Sequence, residues 1–193
     1  VPLFICSLGN PGPAYADTLH SAGHTVLTRL AAYLNCSPFT RERAWDKALV
    51  TRAPDNGDGA DWTLYQSPTY MNVCGKPIRN AYRSWLSGMS GGEGRLVVLH
   101  DELEKPLGKV SVRGVEGKGT SAKGHNGLKS MMQVFGPGGV EFVRIGVGIG
   151  RPEGRGSKEV GDYVLRKMSP GEKKRVEGCV DEVVDLLRRL ERG

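Results

Sequence analysis

His20 and Asp101 are the residues whose type and setting best suit proton chemistry. His20 closes the stretch LFICSLGNPGPAYADTLH, in which the apolar run Leu3 to Leu8 reads as a buried strand. Gly9, Pro11, Gly12 and Pro13 break that run, so the chain turns sharply at Asn10. His20 falls just before a helix. The partial positive charge at a helix start disfavours a second positive charge, so an imidazole there stays neutral and can accept a proton. Asp101 follows the apolar run Leu96 to His100, which suits the middle of a sheet covered on both faces. In open α/β sheets, sites form beyond the carboxyl ends of strands. Three amides, Asn10, Asn72 and Asn126, also fall in loops at strand ends, Asn126 beside His125. If the strands are parallel neighbours, these residues converge. Asp101 would then fix the His20 tautomer, and the amides would hold a peptide-like group by donating and accepting hydrogen bonds. Such a site is hydrolytic without a nucleophilic Ser or Cys, and water is its nucleophile. No carboxylate stands out as reserved for a free α-ammonium group. No metal is expected: His20 and His24 are four apart, but the Glu of an HExxH motif is missing and no third ligand is evident.

The elements that must position these residues follow from pattern. Ala22, Val26, Leu27, Leu30, Ala31 and Leu34 line one face of a helix ending near Asn35. Arg41 to Ala53 and Trp62 to Gln66 read as the strands of a long hairpin around a turn-rich loop. A helix then runs through Ile78, Ala81, Tyr82, Trp85 and Leu86, with Asn72 as its expected cap and Pro77 in its first turn. Lys109 to Arg113 reads as a strand, Val115 to Lys123 as a glycine- and lysine-containing loop, and His125 to Phe135 as a helix closed by Gly136-Pro-Gly-Gly139. Phe142 to Gly150 is a strand with alternate glycines, and Ser169 to Arg192 reads as one amphipathic helix.

Two glycine motifs do not qualify as nucleotide sites. Residues 146–150 read GxGxG rather than GxGxxG and lead into Arg151-Pro152, while residues 114–120 have Thr120 where a phosphate loop needs Lys. The 193 residues suit one domain, and the net charge of +6 favours a polyanionic partner, nucleic acid first. Cys6, Cys36, Cys74 and Cys179 lie far apart without zinc spacing, which fits a reducing compartment. No apolar run approaches the roughly 20 residues of a membrane span. The chain therefore reads as soluble and intracellular, with the reservation that it begins without Met and could lack a leader.

The segments LGNPGPAYADTLHSAG, SPTYMNVCGKP, VLHDELEKPLGKV, GHNGLKS and FVRIGVGIGRP resemble, in this order along nearly the whole chain, the bacterial-type peptidyl-tRNA hydrolases. The resemblance implies a single α/β domain over residues 1–193, with a mixed, twisted central sheet sandwiched between helices. It implies hydrolysis of the ester joining a peptide to the 3′ end of tRNA, with no cofactor, by a cytoplasmic monomer, or a mitochondrial one if a leader is missing. On matching positions, His20 would be the general base and Asp101 its orienting partner. Asn10, Tyr15, Met71, Asn72, His125 and Asn126 would bind the peptide and ester, and Arg113 and Arg144 the acceptor-stem phosphates.

Two departures stand out. The glycine run that precedes HNGLK in the family is here the longer VEGKGTSAK, which adds Lys118 and Lys123 and reads either as a further tRNA-contacting loop or as a solvated insertion without contacts, and the chain stops soon after its last helix. The alternative function is a non-catalytic RNA-binding module, since some relatives in plant organelles serve intron splicing.

Overall fold

The computed structural model describes residues 1–54, 61–89, 91–114, 122, 124–136, 141–154 and 156–193. In chain order its elements are β1 (Leu3–Ser7), α1 (Ala22–Tyr33), β2 (Thr40–Glu42), β3 (Ala48–Arg52), β4 (Trp62–Gln66), α2 (Gly75–Ser87), β5 (Arg95–Glu102), β6 (Val110–Arg113), α3 (Asn126–Phe135), β7 (Phe142–Gly148), α4 (Ser157–Leu165), α5 (Pro170–Glu177) and α6 (Val180–Arg192).

All five residues of β1 are buried, as befits a strand covered on both faces. Its side chains alternate between two cores. Leu3 and Ile5 join α1, α5 and α6 through Val26, Leu30, Val176, Val183 and Leu187, while Phe4, Cys6 and Leu8 join α2 and α3 through Ile78, Trp85, Leu128 and Met131. The seven strands lie in the order β2-β3-β4-β1-β5-β7-β6. The central four are mutually parallel, and the antiparallel β2–β3 pair and β6 form the two edges. The mixed sheet between two helical layers agrees with the sequence expectation.

This order creates the site. From β1 the chain crosses through α1 to the β2–β4 side, and from β4 it returns through α2, on the other face, to β5. The carboxyl ends of β1, β4 and β5 therefore lie at one edge of the sheet, where an open α/β sheet places its sites.

The structure differs from the sequence reading where elements are short or polar. The C-terminal helix is two helices, α5 and α6, separated at Gly178–Cys179. Helix α4 was not expected: Val164 is its one buried residue, so it carries little apolar period. The exposed β2 was likewise not distinguished from its hairpin partner. Asn72 is not a cap. It is exposed inside the 3-10 turn Met71–Val73, and α2 begins three residues later behind Cys74. The loop 115–121 and Lys123 lie outside the described residues, and Lys118 with them.

Candidate active site

Three side chains meet at the carboxyl end of β5. Asp101 is buried on that strand, and its two carboxylate oxygens each lie 3.0 Å from His20 Nδ1. Its Oδ1 also lies 2.9 Å from His125 Nε2. An ionised carboxylate only accepts, so both imidazole nitrogens facing it carry protons. Burial pushes the Asp101 carboxyl up, but the two histidines outweigh burial through charge and hydrogen bonding and hold it well below the usual carboxylate range.

The tautomers then separate the roles of the two histidines. His125 caps α3, and its Nδ1 accepts from the Leu128 amide at 3.2 Å. Both of its nitrogens are engaged within the protein. His20 has only Nδ1 engaged among the described residues, which leaves Nε2 able to accept. It lies in the 3-10 turn Leu19–Ser21 that leads into α1, with the side chain 13% exposed. Burial lowers its pKa, but the Asp101 charge and hydrogen bond raise it further, and the net shift is upward. The helix-start effect read from sequence is thus overridden by the carboxylate, whose full charge in direct contact exceeds the fractional charge of a helix end.

A cavity of about 530 Å³ spreads from this cluster and is lined by His20, Asp101, His125, Asn126, Arg113 and Arg144. Arg113 and Arg144 are cross-strand neighbours on β6 and β7. Arg144 is 5% exposed, and its Nη2 is buried without a hydrogen-bond partner among the described residues. Burial and the adjacent Arg113 cation both lower its pKa.

The other expected site residues stand outside that lining. Asn10 Oδ1 accepts from the Met71 amide at 2.9 Å, which orients the side-chain amide and leaves its NH₂ group and the second oxygen lone pair to offer. Met71 is buried beneath the first turn of α3: a Cβ on Gly127 would lie 2.5 Å from Met71 Cγ and 3.1 Å from His125 Cε1. Tyr15 meets the half-exposed Tyr70 edge to face. Asn72 is exposed on the same 3-10 turn as Met71.

Three features were not legible in the sequence. Glu102 and Glu104 line the cavity, so Asp101 is not its sole carboxylate; Glu104 accepts from Arg151 Nε at 2.9 Å and Nη2 at 2.6 Å. These partners are 47 residues apart, and no local signal links them. His24 does not accompany His20. It is buried, with Nδ1 2.7 Å from Ser7 Oγ, and burial lowers its pKa to about 4. Finally, His125 supplies the third potential metal ligand that spacing did not reveal: the ligand atoms of His20, Asp101 and His125 lie within 4.8 Å of one another. The hydrogen bonds already joining them are an alternative use of the same atoms.

Residues 4–192 match the family model described as peptidyl-tRNA hydrolase. Peptidyl-tRNA hydrolases of Geobacter metallireducens and Kineococcus radiotolerans are 38% and 35% identical, the matches covering 98% and 96% of this chain and 88% and 89% of theirs. A crystal structure of peptidyl-tRNA hydrolase from Acinetobacter baumannii superposes with a TM-score of 0.73 at 27% identity, over 93% of this chain and 83% of that one. With its family pattern spanning nearly every residue and its fold shared with a solved member, the chain belongs to the peptidyl-tRNA hydrolase family.

Proposed function

We propose that this protein hydrolyses the ester between peptide and tRNA by water that His20 activates. The observation that carries the reading is the bonding of His20 Nδ1 to both Asp101 oxygens at 3.0 Å, which directs the free Nε2 away from the carboxylate. Water gives a proton to Nε2 as its oxygen attacks the ester carbonyl carbon. The bond from that carbon to the ribose oxygen then breaks, and the imidazolium returns the proton to the departing oxygen, releasing peptide acid and free tRNA. Asp101 orients the ring and stabilises its charged form in between. His125 fixes Asp101 from the other side and ties it to the start of α3, where Asn126 lines the cavity. In this reading Asn10, Tyr15, Met71 and Asn72 form the further wall, and the Arg113–Arg144 pair takes a phosphate.

The test is turnover of peptidyl-tRNA, with free aminoacyl-tRNA as control. His20→Ala should lose about 10²- to 10⁴-fold in kcat while still binding tRNA. Near-normal turnover by that variant would remove His20 from the mechanism.

A further inference from the structure

The two helical layers differ in charge. Helices α2 and α3 together carry four cations, Lys76, Arg79, Arg83 and Lys129, and no carboxylate. Helices α4, α5 and α6 carry seven cations and eight carboxylates. On α2 the cations stand at i, i+3 and i+7, which places them along one face over about 10 Å of helix. That face is turned outward: Lys76 and Arg83 are exposed, Asn80, Ser84 and Ser87 lie beside them, and the buried face carries Ile78, Ala81, Tyr82 and Trp85. Arg79 Nε has no hydrogen-bond partner among the described residues. Glu42 and Asp46 flank the 3-10 turn Arg43–Trp45, which packs against α2 and adds a further cation, Arg43.

The stripe is joined to the site. It begins next to Asn72 and the exposed Val73, immediately after Met71. At this end α2 is pinned to α3. The Gly75 amide donates to Ser130 Oγ at 3.0 Å, and a Cβ on Gly75 would lie 2.2 Å from the Ser130 carbonyl oxygen. The same helix α3 opens with His125 and Asn126. The cations are thus held in fixed relation to the residues around the reacting ester.

We infer that the Lys76–Arg79–Arg83 face of α2 is a second track for the tRNA backbone, gripping duplex phosphates beyond the cavity that takes the 3′ end. This rests on the hydrolase reading above. Evenly spaced cations without acids suit the regular phosphates of an RNA duplex, and such contacts position the substrate without reading its sequence.

The test compares two substrates. One is full-length peptidyl-tRNA; the other is an N-acyl-aminoacyl ester of a short single-stranded CCA oligonucleotide, which reaches the cavity and has no duplex. In the triple variant Lys76→Ala, Arg79→Ala, Arg83→Ala, kcat/KM for the full substrate should fall, mostly through KM, with the short substrate unchanged. Each phosphate contact adds roughly 0.7 to 0.9 to the slope of log affinity against log salt, so the slope for tRNA should flatten by about two units. Arg79→Lys with Arg83→Lys should restore most of it. Arg83→Ala alone, exposed and distant from the site, should flatten the slope by about one unit and serves if the triple variant folds poorly. Binding of deacylated tRNA by fluorescence anisotropy needs no turnover, so it reads the stripe even if the hydrolase reading fails. An unchanged tRNA salt slope, or an equal loss with the short substrate, overturns the inference. So does an equal affinity loss for an acidic peptide and for tRNA.

Discussion

His20 and His125 share one carboxylate yet differ in what they can do, because the second nitrogen of each ring has a different fate. The His125 Nδ1 is occupied by a backbone amide, whereas His20 Nε2 is available. The upward pKa shift of His20 has a kinetic consequence. Burial lowers this pKa and Asp101 raises it by more, so the folded value lies above 6.5. As the base proposed above, His20 must be unprotonated to act, so kcat/KM should rise with pH through that raised value and then level off. In Asp101→Asn the charge is lost and burial remains, so the acid limb should move below 6.5 while the plateau rate falls. A limb that stays in place would show that another group titrates. A second measurement concerns the ligand set of His20, Asp101 and His125. With His20 as the activating base, prolonged chelation should leave turnover unchanged. Activity lost on chelation and restored by one metal alone would assign the water to that metal.

At the scale of elements, the close approach of α1 to the sheet sets the distance between His20 and Asp101. Gly23 allows it: a Cβ there would stand 2.6 Å from the Leu99 carbonyl oxygen and 2.9 Å from that of Leu8. At the next residue, His24 bonds Ser7 at the end of β1, so α1 is held against both β1 and β5. The β6–β7 ladder creates a different constraint by placing Arg113 opposite Arg144. Like charges directly opposite across strands are destabilising, and a bound anion relieves them. Inorganic phosphate should therefore raise the Tm of the wild-type protein and leave that of Arg144→Ala unmoved. The same variant should raise KM for peptidyl-tRNA with kcat little changed. Equal stabilisation of both proteins by phosphate would mean that the ion acts elsewhere.

For the molecule as a whole, buried histidines make stability depend on pH in a known direction. Burial lowers the pKa of His24 to about 4 and that of His100, whose Nδ1 donates to the Asp101 carbonyl oxygen, to about 3. Both values lie below the unfolded 6.5, so the unfolded chain binds more protons than the folded one under acid conditions. Their contribution is present above 6.5 and is lost as pH falls toward the folded values. His20 runs the other way: its raised pKa contributes below 6.5 and is lost as pH rises through the folded value. Asp101, held low, contributes above its unfolded 3.8 and fades only below that. The urea midpoint should thus fall steadily from pH 6.5 to 4, and His24→Phe should flatten that fall. A midpoint constant across this range in the wild-type protein would contradict neutral, buried imidazoles.

The sequence alone makes the central strands and α1, α2 and α3 readable, because continuous apolar runs and long amphipathic periods are local signals that burial enforces wherever the element packs; its five ordered segments, through their resemblance, imply the mixed α/β architecture and the family. It also named His20 and Asp101 as candidates. Only the tertiary structure decided that these two residues, 81 apart, touch, and that His125 completes the cluster from a third segment. It separated Asn10, Tyr15, Met71 and Asn72 from the cavity lining, removed Asn72 from its expected capping position and split the last helix at Gly178–Cys179. It also segregated the charges of the two helical layers. These outcomes depend on which face of the sheet each helix crosses and on pairings between distant strands. Local periodicity does not encode such choices, since the free energy that selects them arises only when the separate segments are packed together.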